Sequence, residues 1–248
     1  MGTSDITANS QKSFQSGKLK VVVSDYNYES LDQEREILAS IAAELYDYHC
    51  TTEDEVIEVA HDCDVLAIQY APITRRVIEK LNRCKLIVRY AIGVDNIDLK
   101  AATDCGIPVA NVPDYGIDEV STHAVSLILA TARKLPQTER SVRSGQWNYA
   151  HIKPLHRTLG ARVGLVGFGR IPTLVARKLA GFEMDIISYD PYMSEEHAAS
   201  LNVRLVSLEE LIESSDFISI HCPLTDETRG LFNMSLFKRM KPSAFLIN

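Results

Sequence analysis

Short runs of branched apolar residues recur along this chain, each followed by residues with helical spacing, and that alternation constrains the fold more than any other feature. Leu19-Lys20-Val21-Val22-Val23 is the first run; Asp64-Val65-Leu66-Ala67-Ile68, Leu86-Ile87-Val88 and Val109-Ala110-Asn111-Val112 repeat it. Helical spacing is read from Leu31 to Tyr46 through Ile37, Ile41 and Leu45, over Arg75–Leu81, and from near Asp98. Runs this apolar leave no face for water, so they predict parallel strands covered by helices on both sides. Pro113-Asp114-Tyr115-Gly116 breaks the pattern with turn residues. A long amphipathic helix is predicted next, with Val120, Ala124, Leu127, Ile128 and Thr131 on one face and Asp118 placed to cap it. After a looser stretch around Trp147 to Thr158, a second series begins. Arg162–Gly167 reads as a strand, Arg170–Gly181 as a helix, and Asp185–Tyr189, Phe217–His221 and Ala244–Asn248 as further strands. The expectation is an α/β chain with one domain at 18–112, a second at 113–248, and a disordered tail at 1–17.

Composition narrows the class. The chain is 46% hydrophobic and 24% charged, which is ordinary for a globular protein. A formal charge of −7 without a basic block argues against nucleic acid, which needs clustered Lys and Arg to neutralise phosphate. No stretch approaches the roughly 20 apolar residues of a spanning helix, and the polar N-terminus has no apolar h-region of a signal peptide. Five cysteines, at 50, 63, 84, 105 and 222, form no CxxC pair. That usage predicts reduced thiols in a cytoplasm and no metal site.

The strand Arg162-Val163-Gly164-Leu165-Val166 runs straight into Gly167-Phe168-Gly169-Arg170-Ile171-Pro172. A glycine turn at a strand end is by itself a weak signal, readable as purely structural. In a dinucleotide fingerprint the first glycine permits the tight turn and the second lets backbone approach a pyrophosphate at a helix N-terminus. The third glycine gives helix–strand packing; Pro172 stands there, in the first helical turn, where its missing N–H costs little. Asp190 ends the next strand 23 residues after Gly167, where an acid accepts from ribose hydroxyls and repels a 2′-phosphate. No Arg follows Pro191-Tyr192 to welcome that phosphate, so NAD is expected over NADP.

Several stretches, in this order, resemble the D-isomer-specific 2-hydroxyacid dehydrogenases: Tyr90-Ala91-Ile92-Gly93-Val94-Asp95-Asn96-Ile97-Asp98, Lys100 through Val109, Asn111-Val112-Pro113, Glu119-Val120-Ser121-Thr122-His123-Ala124, the Gly167–Ile171 fingerprint, Tyr189-Asp190-Pro191, His221-Cys222-Pro223-Leu224-Thr225 with Thr228-Arg229-Gly230-Leu231, and Met240 through Asn248. The glycerate and phosphoglycerate dehydrogenase branch and the C-terminal-binding-protein branch look similar. The resemblance implies two Rossmann- or flavodoxin-like parallel-sheet domains, the second incomplete at its C-terminus. It implies substrate binding at Ala91, Ile92 and Gly93. Cofactor contacts are implied at Val120, Gly167, Phe168, Gly169, Arg170, Ile171, Asp190, Pro191, His221, Cys222, Pro223 and Thr228. It also implies a small 2-oxo or 2-hydroxy acid as substrate, NAD as cofactor and a homodimer.

For the substrate loop the residues support this reading independently, since a glycine-containing strand-to-helix turn aims backbone N–H groups at an anion. A structural turn closing on Asp95 and Asn96 is the plain alternative. His123 reads as a packed or capping residue, and His49, His61, His151, His156 and His197 show no ligand spacing. His221 fits a cofactor contact rather than proton transfer, and adjacent strand residues face opposite ways, which breaks any His221–Cys222 nucleophilic pair. The family's catalytic Arg, Glu and His are expected beyond Asn248. Two readings follow: a dehydrogenase whose 248 residues here do not turn over, or a cofactor-binding sensor or scaffold.

Overall fold

The computed structural model describes residues 18–248; the tail predicted at 1–17 lies outside the described residues. The chain divides into a unit ending at Pro113 and a unit spanning Asp114–Asn248. Each contains a five-stranded sheet whose strands are all parallel.

The first unit runs β1 (Leu19–Val23), α1 (Asp32–Ala39), β2 (Ala43–Asp47), α2 (Glu53–Ala60), β3 (Val65–Ile68), α3 (Arg75–Ile78), β4 (Leu86–Arg89), α4 (Leu99–Asp104) and β5 (Val109–Asn111). Its sheet order is β2-β1-β3-β4-β5. Val22, Leu66, Ile68 and Ile87 meet Val56, Ala60, Ile78 and Ala101 in one apolar core, as strands buried on both faces require.

The helix predicted from Leu31 to Tyr46 is two elements. It stops at Ala39, and Ala42 adopts φ 55°, a left-handed conformation that no right-handed helix passes through. Leu45 and Tyr46 belong to β2, which alternates half-buried and exposed residues and pairs with β1 from Leu19↔Ala43 to Val23↔Asp47. Ile37 and Ile41 are 67% and 58% exposed, so their helical spacing marks no buried face. Helix α2, unread in the sequence, opens with a capping box: Thr52 accepts from the Glu55 amide while the Glu55 side chain accepts from the Thr52 amide.

The second unit runs α5 (Ile117–Ala132), α6 (Leu135–Arg143), β6 (Arg162–Val166), α7 (Arg170–Leu179), β7 (Asp185–Tyr189), α8 (Glu195–Ser200), β8 (Arg204–Leu205), α9 (Leu208–Ser214), β9 (Phe217–Ile220), α10 (Met234–Phe237) and β10 (Phe245–Ile247). The sheet order is β10-β9-β6-β7-β8. β8 is two residues long, too short to leave a period in the sequence. The α5 face is also corrected. Ser121, Ala124, Val125 and Ile128 are buried, whereas Val120 is 46% exposed. Asp118 is not the cap. Gly116 takes that place without a side-chain bond. Asp118 Oδ1 instead accepts from Lys178 Nζ at 2.7 Å. Lys178 also donates to Ser121 Oγ at 2.8 Å and Thr122 Oγ1 at 2.6 Å, fastening α7 to α5.

Candidate functional site

In open parallel sheets, ligands bind beyond the carboxyl ends of the strands where the winding reverses. In the second unit that point lies between β6 and β9, because β7 and β8 extend the sheet one way and β10 the other. Gly167 turns the chain out of β6 with φ 89°, and its N–H donates to Tyr189 O at 2.8 Å. A Cβ on Gly167 would stand 2.9 Å from Cys222 N and 3.1 Å from His221 C. The bare backbone is therefore what lets the segment after β9 lie against this turn.

Phe168 divides its duties. Its amide donates to Asp190 Oδ2 at 2.7 Å, while its ring is fully buried in the core, 6.5 Å from the His197 ring. Only its backbone is left for a ligand. Gly169 begins α7 as N-cap without a side-chain cap, and a Cβ built on it meets nothing within 4 Å. The first helical bond is Thr173 N–H to Gly169 O at 3.1 Å. The amides of Gly169, Arg170 and Ile171 are committed to no acceptor among the described residues. The buried Pro172 occupies a position whose N–H would have no helical partner. Three amides, the positive end of α7 and the exposed Arg170 thus surround open space. Arg170 Nη2 stands 3.8 Å from Asp114 Oδ2.

Asp190 completes the turn. One carboxylate oxygen accepts from Phe168, and the other from the Tyr192 amide at 2.8 Å. Each oxygen keeps acceptor capacity, so the locked carboxylate suits a vicinal diol. The residues fit NAD: bare backbone and helix amides for pyrophosphate, and an acid for ribose. Pro191 is exposed beside them. Sequence reasoning missed Tyr192, whose hydroxyl reaches Glu227 Oε2 at 3.3 Å.

Across the turn, His221 Nε2 lies 2.9 Å from Ser219 Oγ. Burial pushes the imidazole pKa down to about 4 and raises the Cys222 thiol. At neutral pH His221 is uncharged and Cys222 is a thiol. Thr228 Oγ1 donates to Pro223 O at 2.5 Å and accepts from the Thr225 amide at 2.8 Å, closing the following loop on itself. Val120 lies in the first turns of α5, on its exposed side.

In the first unit, the loop after β4 is held by its carbonyls. Ala91 O accepts from Val112 N–H at 3.1 Å and Ile92 O from Asn111 Nδ2 at 2.7 Å. The amides of Ile92 and Gly93 are committed to no acceptor among the described residues. Arg89, 8% exposed, donates to Asp95 Oδ1 at 2.7 Å and Gln69 O at 3.3 Å. Its hydrogen bond holds the Asp95 carboxyl below the usual range. Asn96 Nδ2 donates to Ala71 O at 2.9 Å. Arg89 and Asn111 were not singled out in the sequence. An arginine within an apolar strand, six residues before an aspartate, is the signal that could have found the first.

Among the described residues, no three His, Cys, Asp or Glu side chains gather as a metal site, and no helix is long and apolar enough to cross a membrane. Residues 125–248 match the family model described as D-isomer specific 2-hydroxyacid dehydrogenase, NAD binding domain. The chain is 40% identical over 199 residues to D-3-phosphoglycerate dehydrogenase of Methanocaldococcus jannaschii, covering 79% of this chain and 38% of that protein. It is 39% identical over 197 residues to glyoxylate reductase of Korarchaeum cryptofilum, covering 78% of this chain and 59% of that one. The chain therefore spans less than two thirds of the length of these curated relatives. A solved structure of D-lactate dehydrogenase from Aquifex aeolicus, complexed with NAD and lactic acid, matches with a TM-score of 0.85 and 27% identity, over 92% of this chain and 68% of that chain.

Proposed function

The chain belongs to the D-isomer-specific 2-hydroxyacid dehydrogenase family, and on that premise we propose that its two loops serve the interconversion of a 2-oxo acid and a D-2-hydroxy acid. NAD, when bound, donates or accepts the hydride. The observation that carries this reading is the set of uncommitted amides at Gly169, Arg170 and Ile171 facing open space beside the locked Asp190 carboxylate. The amides and Arg170 hold the pyrophosphate, and Asp190 accepts from the ribose hydroxyls and disfavours a 2′-phosphate. Gly167, Ile171 and Pro191 shape that pocket, with Val120, His221, Cys222, Pro223 and Thr228 along it. Phosphoglycerate, glyoxylate and lactate, named by the relatives, share a carboxylate beside the reacting carbon. The N–H groups of Ile92 and Gly93 hold that carboxylate, with Ala91 leaving the loop's first position small.

Carbonyl reduction also needs a cation on the carboxylate and a proton donor with a pKa near neutrality. The described loop residues do not fill these roles. His221, its pKa pushed down to about 4 by burial, is uncharged at neutral pH, the Cys222 thiol is raised, and Arg89 is engaged with Asp95 and Gln69. This supports cofactor binding without turnover by these 248 residues. It also keeps a second reading open, an NAD-responsive sensor or scaffold. Cytoplasmic location and homodimerisation belong to the same proposal. The dimer is supported by apolar surface on and after α6, where Leu135, Trp147 and Tyr149 are 55%, 91% and 71% exposed.

The test is a fluorescence titration of the full chain with NADH and NADPH. Asp190→Ala should weaken NADH binding by about tenfold or more, the loss of a charge-assisted hydrogen bond, and narrow the preference over NADPH. Unchanged affinity and preference would remove Asp190 from the ribose role.

A further inference from the structure

At the N-terminal end of the central strands β3 and β4, the end of the first sheet opposite the Ala91–Gly93 loop, two cysteines come together that the cofactor chemistry does not use. β3 and β4 pair in the register Val65↔Leu86, Leu66↔Ile87, Ala67↔Val88 and Ile68↔Arg89. Carrying that offset two residues back sets Cys63 opposite Cys84. Backbone bonds on both sides keep the same offset: Lys85 N–H to Asp64 O and Asn82 N–H to His61 O, each 2.8 Å. Neighbouring strands run about 4.8 Å apart and residues in register share a face. That spacing falls within the roughly 4.4–6.8 Å that a disulfide spans between Cα atoms.

The two thiols differ in surroundings. Cys63 is fully buried in the core that includes Ala60, Leu66 and Ile87, and the half-buried Cys84 packs against that core. Cys84 Sγ donates to Leu86 O at 3.3 Å, and the interaction between the two side chains pushes the Cys63 thiol up and the Cys84 thiol down from the ordinary range. Cys84 is thus the more accessible and the more acidic of the two thiols, and access and acidity are what make a cysteine oxidisable. Cys63 stands behind it as a protected partner.

We propose that Cys63 and Cys84 are a reversible dithiol–disulfide pair whose oxidant is a peroxide. The Cys84 thiolate attacks the peroxide, the O–O bond breaks, and an S–O bond forms as hydroxide leaves and takes up a proton. The Cys63 sulfur then attacks the Cys84 sulfenic acid. The S–S bond forms, the S–O bond breaks, and the leaving hydroxide departs as water with the Cys63 proton. Two thiols lose two electrons, and hydrogen peroxide becomes two waters. The product staples β3 to β4 at their N-terminal ends.

The experiment treats the full chain with hydrogen peroxide, blocks remaining thiols under denaturing conditions, and maps peptides by fragmentation mass spectrometry. The expected result is a Cys63–Cys84 link with loss of two hydrogens, reversed by dithiothreitol. In Cys63→Ser the sulfenic acid on Cys84 should persist and be captured by dimedone; in Cys84→Ser the link and the reactivity of Cys63 should both disappear. Recovery of both cysteines as free thiols, at a dose that oxidises the exposed Cys105, overturns the proposal. So does a link joining Cys84 to another cysteine. The map of the unaltered protein decides the matter even if a substitution in the core disturbs folding.

Discussion

At His221 the imidazole shares Nε2 with Ser219 Oγ, and burial takes its pKa from 6.5 to about 4. A folded-state value below the unfolded one means that the unfolded chain takes up the proton first on acidification. Stability attributable to this group is therefore complete above about 6.5 and declines as pH falls toward about 4. The urea midpoint should drop across that window, and His221→Asn should flatten the drop. An equally steep decline in the variant would place the pH dependence elsewhere. The residue's position at a strand end beside the fingerprint was legible in the sequence, but its neutrality was not, because desolvation depends on what folds over the ring. Asp190 behaves likewise. Its offset from Gly167 is a local feature, whereas the two amides that lock its carboxylate come from the completed turn.

Helix α7 illustrates what an element owes to its own residues. Its start is set by Gly169 and by a proline in a turn whose amides have no helical partners, so Pro172 replaces a glycine without loss of the amide cradle. Pro172→Gly should retain NADH affinity and lower unfolding free energy by about 0.4–1 kcal/mol, since glycine frees the unfolded chain; titration and urea melts check the two halves. A large loss of affinity would mean that the ring itself touches the cofactor. Elsewhere local reading failed for identifiable reasons. Between Leu31 and Tyr46 the same apolar residues satisfy a helical period and a strand period at once. Only pairing with β1 and the left-handed Ala42 separate α1 from β2. The apolar stripe of α5 was likewise displaced, with Val120 outside it and Val125 inside.

For the molecule as a whole, the exposed apolar residues of the second unit point outward rather than into its own core. Val142, Trp147 and Tyr149 line one groove, and with Leu135 exposed on the same helix as Val142 they offer apolar surface of the kind that protein interfaces favour. Sedimentation velocity at micromolar concentration should give a dimer, and Trp147→Ser should shift it toward monomer. A monomeric unaltered chain would remove this surface from the proposed homodimer.

The sequence alone determined the alternating strand–helix order, the parallel sheets that follow from it, the glycine turn at the head of α7 and the acid that answers it. Each of these is written within a few tens of residues, in apolar period and backbone permissiveness. The tertiary structure decided that the Phe168 ring belongs to the core, that Arg89 clamps Asp95, that His221 stays uncharged, and that Cys63 meets Cys84. Those outcomes rest on strand register and on exclusion of water. Both arise only when distant segments pack, so neither leaves a signature in any single stretch of the chain.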